Sequence, residues 1–276
     1  MILEKLSWKS ASGIGLVGNL WKPESNTKAI VVFIHGFGEH CLRYTPYFEL
    51  FENEGIVFIS YDQMGHGASK GKRGAISSYK HLLDDIQICL NKAKELFPEL
   101  PLFVYGHSMG GNIVSNFLIY RKPEIAGSVI TSPWLKLTKE KGFLFETIGS
   151  LLSVIIPNVT VPSDLHSSHI SSINTEVEKY EKDPLNHGRI SFRLFDQITK
   201  KGKLAIENSK EINVPTILFH GTDDMITSPL ASAKFAKANT DYIKFKEWPK
   251  GFHELHNDFC RDDVVGEIIE WIKTKV

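Results

Sequence analysis

The chain has 276 residues, 42% hydrophobic and 23% charged, with 32 basic against 32 acidic side chains and a formal net charge of zero. That balance offers no electrostatic footprint for nucleic acid, and 17 Phe, 8 Tyr and 5 Trp supply apolar volume for a large core, which excludes disorder and fibrous structure. The three cysteines, Cys41, Cys89 and Cys260, are scattered and odd in number, which fits neither a disulfide framework nor a paired metal motif and points to a reducing, cytoplasmic setting.

The opening residues MILEKLSWKS contain no apolar stretch long enough for a signal peptide, and no segment approaches the ~20 apolar residues of a spanning helix. Residues 14–21 alternate as a half-exposed strand, and 29–34 form a continuous apolar run that stops at His35-Gly36. A helix is predicted over 47–54 after Pro46, a buried strand over 56–61, a helix over 78–97, a strand over 102–105, a helix over 112–120 and a strand over 127–131. Strands that are apolar throughout belong in a parallel sheet covered on both faces, and their alternation with helices predicts a doubly wound α/β architecture. The alternation breaks after Pro133 and resumes only at a buried strand near Pro215, a gap too long for an ordinary crossover. An inserted, mainly helical cap is therefore expected over 135–211, between core segments 1–134 and 212–276. Within it, 142–157 (GFLFETIGSLLSVIIP) is the most apolar stretch in the chain. It reads either as a helix packed on the core or as one whose apolar face also touches lipid. Beyond the cap, 231–238 reads as helix, 242–248 as strand and 264–273 as helix.

Gly106-His107-Ser108-Met109-Gly110 follows a buried strand and precedes a helix. In such a Gly-x-Ser-x-Gly turn the serine sits in a strained conformation, and side chains two residues either way would collide with backbone. The Ser108 hydroxyl then stands at the C-terminal sheet edge, and the Met109 N–H points to where an oxyanion would form. A serine hydroxyl needs a base, and the base an orienting carboxylate; in this architecture they follow in the order Ser, Asp, His. The strand over 215–219 ends in His220-Gly221-Thr222-Asp223-Asp224, and the strand over 242–248 is followed by Gly251-Phe252-His253-Glu254-Leu255-His256. Asp224 is preferred to Asp223 because it precedes the apolar pair Met225-Ile226, which would seat the loop. His253 is preferred to His256 because it directly follows the Gly-Phe turn. His35-Gly36-Phe37-Gly38 places glycines around Phe37, whose N–H is the second candidate oxyanion donor, with His35 read as a brace for the loop. The glycine-punctuated segment 62–69 reads as a structural turn. No His-Glu-x-x-His, Walker lysine loop or Gly-x-Gly-x-x-Gly helix opening occurs, so no metal or cofactor is expected.

These residues resemble the monoglyceride lipase family of serine hydrolases with the α/β-hydrolase fold. The resemblance runs through His35-Gly36-Phe37-Gly38-Glu39-His40 with Arg43-Tyr44, through Gly106-His107-Ser108-Met109-Gly110-Gly111, and through Phe252-His253-Glu254-Leu255-His256. It extends into the cap at Pro157-Asn158, Asn174-Thr175-Glu176-Val177, Tyr180 and Asp183-Pro184-Leu185. It implies Ser108 as nucleophile, Asp224 as acid and His253 as base, and a headgroup pocket at Glu39, Arg43, Tyr180 and His256. The implied activity is hydrolysis of a monoacylglycerol, a lipid ester, with transient membrane-surface contact through the cap. Lysophospholipase, broad carboxylesterase, acyltransferase and a degenerate binding module are the competing readings. Phe37 is bulkier than the small residue often found at its position, and Ile226 and Thr227 stand where some members carry a cysteine.

Overall fold

The computed structural model describes residues 1–24, 26–139 and 142–276, and the side chains of 143–146 lie outside the description. Its strands are β1 (Ile2–Lys9), β2 (Gly15–Lys22), β3 (Ala29–Ile34), β4 (Ile56–Tyr61), β5 (Leu102–His107), β6 (Gly127–Thr131), β7 (Thr160–Pro162), β8 (Arg189–Ser191), β9 (Thr216–Gly221) and β10 (Ile243–Trp248). The α-helices are α1 (Thr45–Phe48), α2 (Tyr79–Leu96), α3 (Met109–Arg121), α4 (Phe143–Ile155), α5 (Asn174–Lys182), α6 (Phe192–Asn208), α7 (Pro229–Lys237) and α8 (Arg261–Lys273).

Eight strands form one sheet in the order β1-β2-β4-β3-β5-β6-β9-β10. The pairs β1–β2 and β2–β4 are antiparallel and all others parallel. Strands β3, β4, β6 and β9 are buried at every residue, in keeping with largely apolar or small sequences covered on both faces, with His220 the polar exception at the end of β9. One apolar layer joins β3 through Ile30 and Val32 to α2 and α3 through Leu83, Ile86, Val114 and Phe117. The opposite layer packs Val31, Phe33 and Phe58 against Tyr44, Phe48, Phe51 and the α8 residues Val264 and Ile268. This is the expected α/β architecture.

Two departures from the sequence reading fall in the first half of the core. The helix expected over 47–54 is a short α1 that tightens into a 3₁₀ segment, Glu49–Glu54, closed by Gly55 in the left-handed region at φ 72°. Strand β1 has no counterpart in the reading: it is an edge strand whose residues are exposed or half-buried, so no apolar run marks it. Between β6 and β9 the chain forms α4, the two-stranded β7–β8 ribbon, α5 and α6. Helix α6 buries Leu194, Ile198, Gly202 and Ala205. Asn112 of α3 donates from Nδ2 to Ile198 O at 3.1 Å and to Trp134 O at 2.7 Å, tying α6 to the core.

Candidate active site

The site lies at the C-terminal edge of the parallel strands, where the loops after β3, β5, β6, β9 and β10 converge. Ser108 follows β5 at φ 53° and ψ −115°, a strained conformation for a non-glycine residue. A Cβ on Gly106 would lie 2.5 Å from Gly110 O, and one on Gly110 would lie 2.0 Å from Ile34 O, so the strained turn needs glycine on both sides. Ser108 N–H donates to Thr131 O at 3.0 Å while Ser108 O accepts from Trp134 N–H at 2.9 Å, which fixes the backbone from the β6 side.

The three residues expected to act together meet there. The Ser108 hydroxyl lies 2.9 Å from His253 Nε2, and His253 Nδ1 lies 2.7 Å from Asp224 Oδ2. All three side chains are buried. Asp224 Oδ1 accepts from the N–H groups of Ile226 at 2.7 Å and Thr227 at 2.9 Å. Its Oδ2 also faces His220 Nε2 at 3.0 Å and Thr227 Oγ1 at 2.8 Å. Burial alone would favour the neutral acid, but the neighbouring imidazoles of His253 and His220 and their hydrogen bonds outweigh it and hold Asp224 far below the ordinary carboxylate range. For His253 burial again opposes charge, and the Asp224 carboxylate overcomes it, raising the imidazole above its usual pKa of 6.5. Asp223 is exposed and its carboxylate accepts from the Thr222 hydroxyl at 2.9 Å.

The loop is seated for a different reason than the apolar pair Met225-Ile226: Met225 is 42% exposed, and it is the backbone folding back onto Asp224 Oδ1 that fixes the carboxylate. His220 and Thr227 carry no motif in the sequence. The one available signal is that a histidine at the end of a buried strand, four residues before the acid, must find a polar partner.

Phe37 and Met109 are both buried beside Ser108, and among the described residues neither backbone N–H donates to a protein acceptor. Two free amides next to a serine hydroxyl are what a developing oxyanion requires. His35 Nδ1 lies 2.8 Å from Gly36 O and His35 Nε2 accepts from Gln63 N–H at 2.9 Å. Burial lowers this imidazole to about 4, so it is a neutral brace for the loop.

The four residues implied for headgroup binding lie around one cluster, with Glu39 and His256 buried and Arg43 and Tyr180 half-buried. Arg43 spans two carboxylates, meeting Glu254 through Nη1 and Nη2 at 3.0 and 2.9 Å and Glu39 through Nη1. The guanidinium lies over the Tyr180 ring, 4.7 Å from its centroid. Glu39 Oε1 accepts from Gly36 N–H at 2.6 Å and from the Tyr44 hydroxyl at 2.7 Å. Burial pushes Glu39 above the usual carboxylate value against the pull of Arg43, whereas at Glu254 Arg43 overcomes burial and holds the pKa at about 2. His256 stacks on Tyr44 at 4.5 Å, burial lowers its pKa to about 3, and neither ring nitrogen has a hydrogen-bond partner among the described residues. Glu254 is the member that sequence reasoning leaves out, although it sits between the two histidines weighed there. Among the described residues no group of three or more His, Cys, Asp and Glu side chains is arranged to hold a metal ion.

Sheet order, the strained serine and the loop positions define the class: an α/β-hydrolase fold with a serine, histidine and aspartate in contact. The family described as serine aminopeptidase, S33, matches residues 25–259. The chain is 30% identical over 259 residues to a monoglyceride lipase homolog of monkeypox virus, covering 93% of each. It is 33% identical over 259 residues to an uncharacterized abhydrolase domain-containing protein of Dictyostelium discoideum, covering 93% of this chain but only 27% of that one. Among solved structures, the monoacylglycerol lipase of Paleococcus ferrophilus superposes with a TM-score of 0.83 at 28% identity, covering 93% of this chain and 99% of that one. The chain belongs to the monoglyceride lipase family of serine hydrolases.

Proposed function

We propose that the protein hydrolyses monoacylglycerols to fatty acid and glycerol through an acyl-enzyme. The observation that carries the reading is the buried contact of Ser108, His253 and Asp224 beside two unused amides, in a chain whose relatives include monoglyceride lipases. Ser108 Oγ attacks the ester carbonyl while His253 Nε2 takes its proton, and Asp224 holds the imidazole in the required tautomer and stabilises its positive charge. The N–H groups of Phe37 and Met109 receive the oxyanion, a contribution of about 3 kcal/mol per donor. Collapse breaks the ester bond, with the His253 proton passing to the glycerol oxygen. Water then attacks the acyl-enzyme by the same route, releasing the fatty acid and restoring the Ser108 hydroxyl.

Glu39, Arg43, Tyr180 and His256 are assigned to the headgroup pocket. The Arg43 charge is met by Glu254, and the free nitrogens of His256 offer hydrogen bonding without net charge, a combination suited to an uncharged diol. We divide the chain into a core, 1–134 and 212–276, and a cap, 135–211. The apolar face of α4 is proposed to touch a lipid surface: Leu151, Val154 and Ile155 are each more than half exposed. No helix among the described residues is long and apolar enough to cross a membrane, so this contact is peripheral, and the free cysteines fit a cytoplasmic site of action.

The direct test is covalent labelling by a fluorophosphonate. The wild-type protein is expected to be labelled and Ser108→Ala to lose both label and turnover, the latter by about 10⁴-fold or more. Near wild-type turnover in a folded Ser108→Ala protein would sink the assignment.

A further inference from the structure

The cap touches the loop that carries Phe37. Beyond α5 the chain turns through Asp183-Pro184-Leu185-Asn186-His187, and the turn is braced internally. Leu185 N–H donates to Asp183 Oδ1 at 2.9 Å, Asn186 N–H donates to Asp183 O at 3.2 Å, and Asn186 Nδ2 donates to Tyr180 O at 2.9 Å. Both ends of this turn grip the loop after β3. Asp183 Oδ2 lies 2.8 Å from His40 Nε2, and His187 N–H donates to Gly38 O at 2.8 Å. The His187 ring stands edge-on to Phe37 with centroids 5.7 Å apart, and its Nε2 lies 3.1 Å from Gly65 O. Gly38 has φ +76°, and a Cβ there would lie 2.4 Å from His187 O, so loop and turn approach at backbone contact.

From the core side the same loop is held by His35 on Gly36 O and by Glu39 on Gly36 N–H. The peptide that presents the Phe37 N–H therefore has its carbonyl fixed by the core, while the next turn of the loop is fixed by the cap. Nothing else among the described residues meets Gly38 O. A donor amide contributes to catalysis only if it already points at the developing charge, and small displacements of such a donor cost rate rather than binding.

We infer that the Asp183–His187 turn is a positioning element of the oxyanion hole: its grip on His40 and Gly38 holds the Phe37 N–H in line, so cap seating governs the chemical step as well as access. The inference rests on the acyl-enzyme reading above, and its test separates the two.

Asp183 is partly exposed at the rim, which makes Asp183→Ala a tolerable truncation, and Asp183→Asn keeps an acceptor for His40. Measured on a monoacylglycerol, Asp183→Ala is expected to lower kcat about 10- to 100-fold with KM within about twofold, the signature of an interaction made in the transition state. Affinity for a trifluoromethyl ketone, whose tetrahedral adduct places an oxyanion in the same hole, should fall by a similar factor, and Asp183→Asn should recover most of both. Thermal melting establishes the folded fraction; should Asp183→Ala not fold, Asp183→Ser is read the same way. A kcat within about twofold of wild type, or a kcat loss with no parallel loss of ketone affinity, overturns the inference. If Ser108→Ala is inactive while Asp183→Ala is unimpaired, only this inference fails; if Ser108→Ala stays active, the reading beneath it fails.

Discussion

Asp224 illustrates how the site stores its chemistry in single residues. Two imidazoles, one hydroxyl and two amides converge on its carboxylate, and no charged partner other than histidine is needed to keep it ionised. The ionised acid raises the pKa of His253, and the sign of the consequence is definite. His253 must be neutral to accept the Ser108 proton, so kcat/KM should fall as pH drops through a pKa above 6.5, the ordinary histidine value. A pH–rate profile in which the acidic limb lies below that value would contradict the geometry. Thr227 faces both Asp224 Oδ2 and His253 Nδ1, the latter at 3.2 Å. Thr227→Val keeps the shape and removes the hydroxyl; kcat should fall about tenfold, the weight of one buried hydrogen bond of about 1.4 kcal/mol. An unchanged kcat would mark Thr227 as packing alone.

At the scale of elements, the legible parts are those where local pattern and burial agree. Strands β3, β4 and β6 begin and end where their largely apolar runs do, because a strand covered on both faces admits only small, accommodated polar side chains, such as Ser60, whose hydroxyl donates to Phe33 O at 2.7 Å. The helix after Ser108 starts earlier than its apolar residues suggest, since the elbow itself begins it at Met109. Strands β1 and β7 and helix α5 carry no comparable signal, being exposed or only part-buried on mixed sequence, and β8, although buried at Ile190 and Ser191, is only three residues long. Ser108, Asp224 and His253 can be read from the sequence because each follows a strand that ends at the same sheet edge. His220, Thr227 and Glu254 cannot, because their roles depend on loops that fold back across 4 to 211 residues of separation.

Helix α2 holds a further element-scale prediction. Its Asp85 is buried, accepts from Ala11 N–H at 2.6 Å, and is raised by burial from 3.8 to about 6. The folded state thus binds a proton more tightly than the unfolded chain, so this group costs stability as pH rises from about 4 through 6 and continues to cost it above. Asp85→Asn retains an acceptor for Ala11 and should stabilise the protein by roughly 1–3 kcal/mol at pH 7 and by little at pH 4. Equal effects at both pH values in denaturant titrations would show that ionisation is not the cause.

For the whole molecule, the decisive feature is that the segment between β6 and β9, proposed as a cap, has two unlike parts. Helix α6 is bound to the core through Asn112 and Asn116, which donate to its backbone at Ile198 and Lys201, whereas α4 turns Val154, 78% exposed, outward. An exposed apolar face of this kind is what the proposed contact with a lipid surface would use. Replacing Leu151, Val154 and Ile155 together by serine should weaken sedimentation with phosphatidylcholine vesicles by about tenfold or more, given about 0.8 kcal/mol per buried methylene, and leave hydrolysis of a soluble short-chain ester unchanged. Undiminished vesicle binding would detach α4 from that role.

Release of glycerol and fatty acid should be measured from a panel of monoacylglycerols, with lysophosphatidylcholine and p-nitrophenyl butyrate alongside and Ser108→Ala as control. The highest kcat/KM is expected on the monoacylglycerols and none with the variant; preference for the phospholipid or the short ester would contradict the headgroup pocket proposed at Glu39, Arg43, Tyr180 and His256.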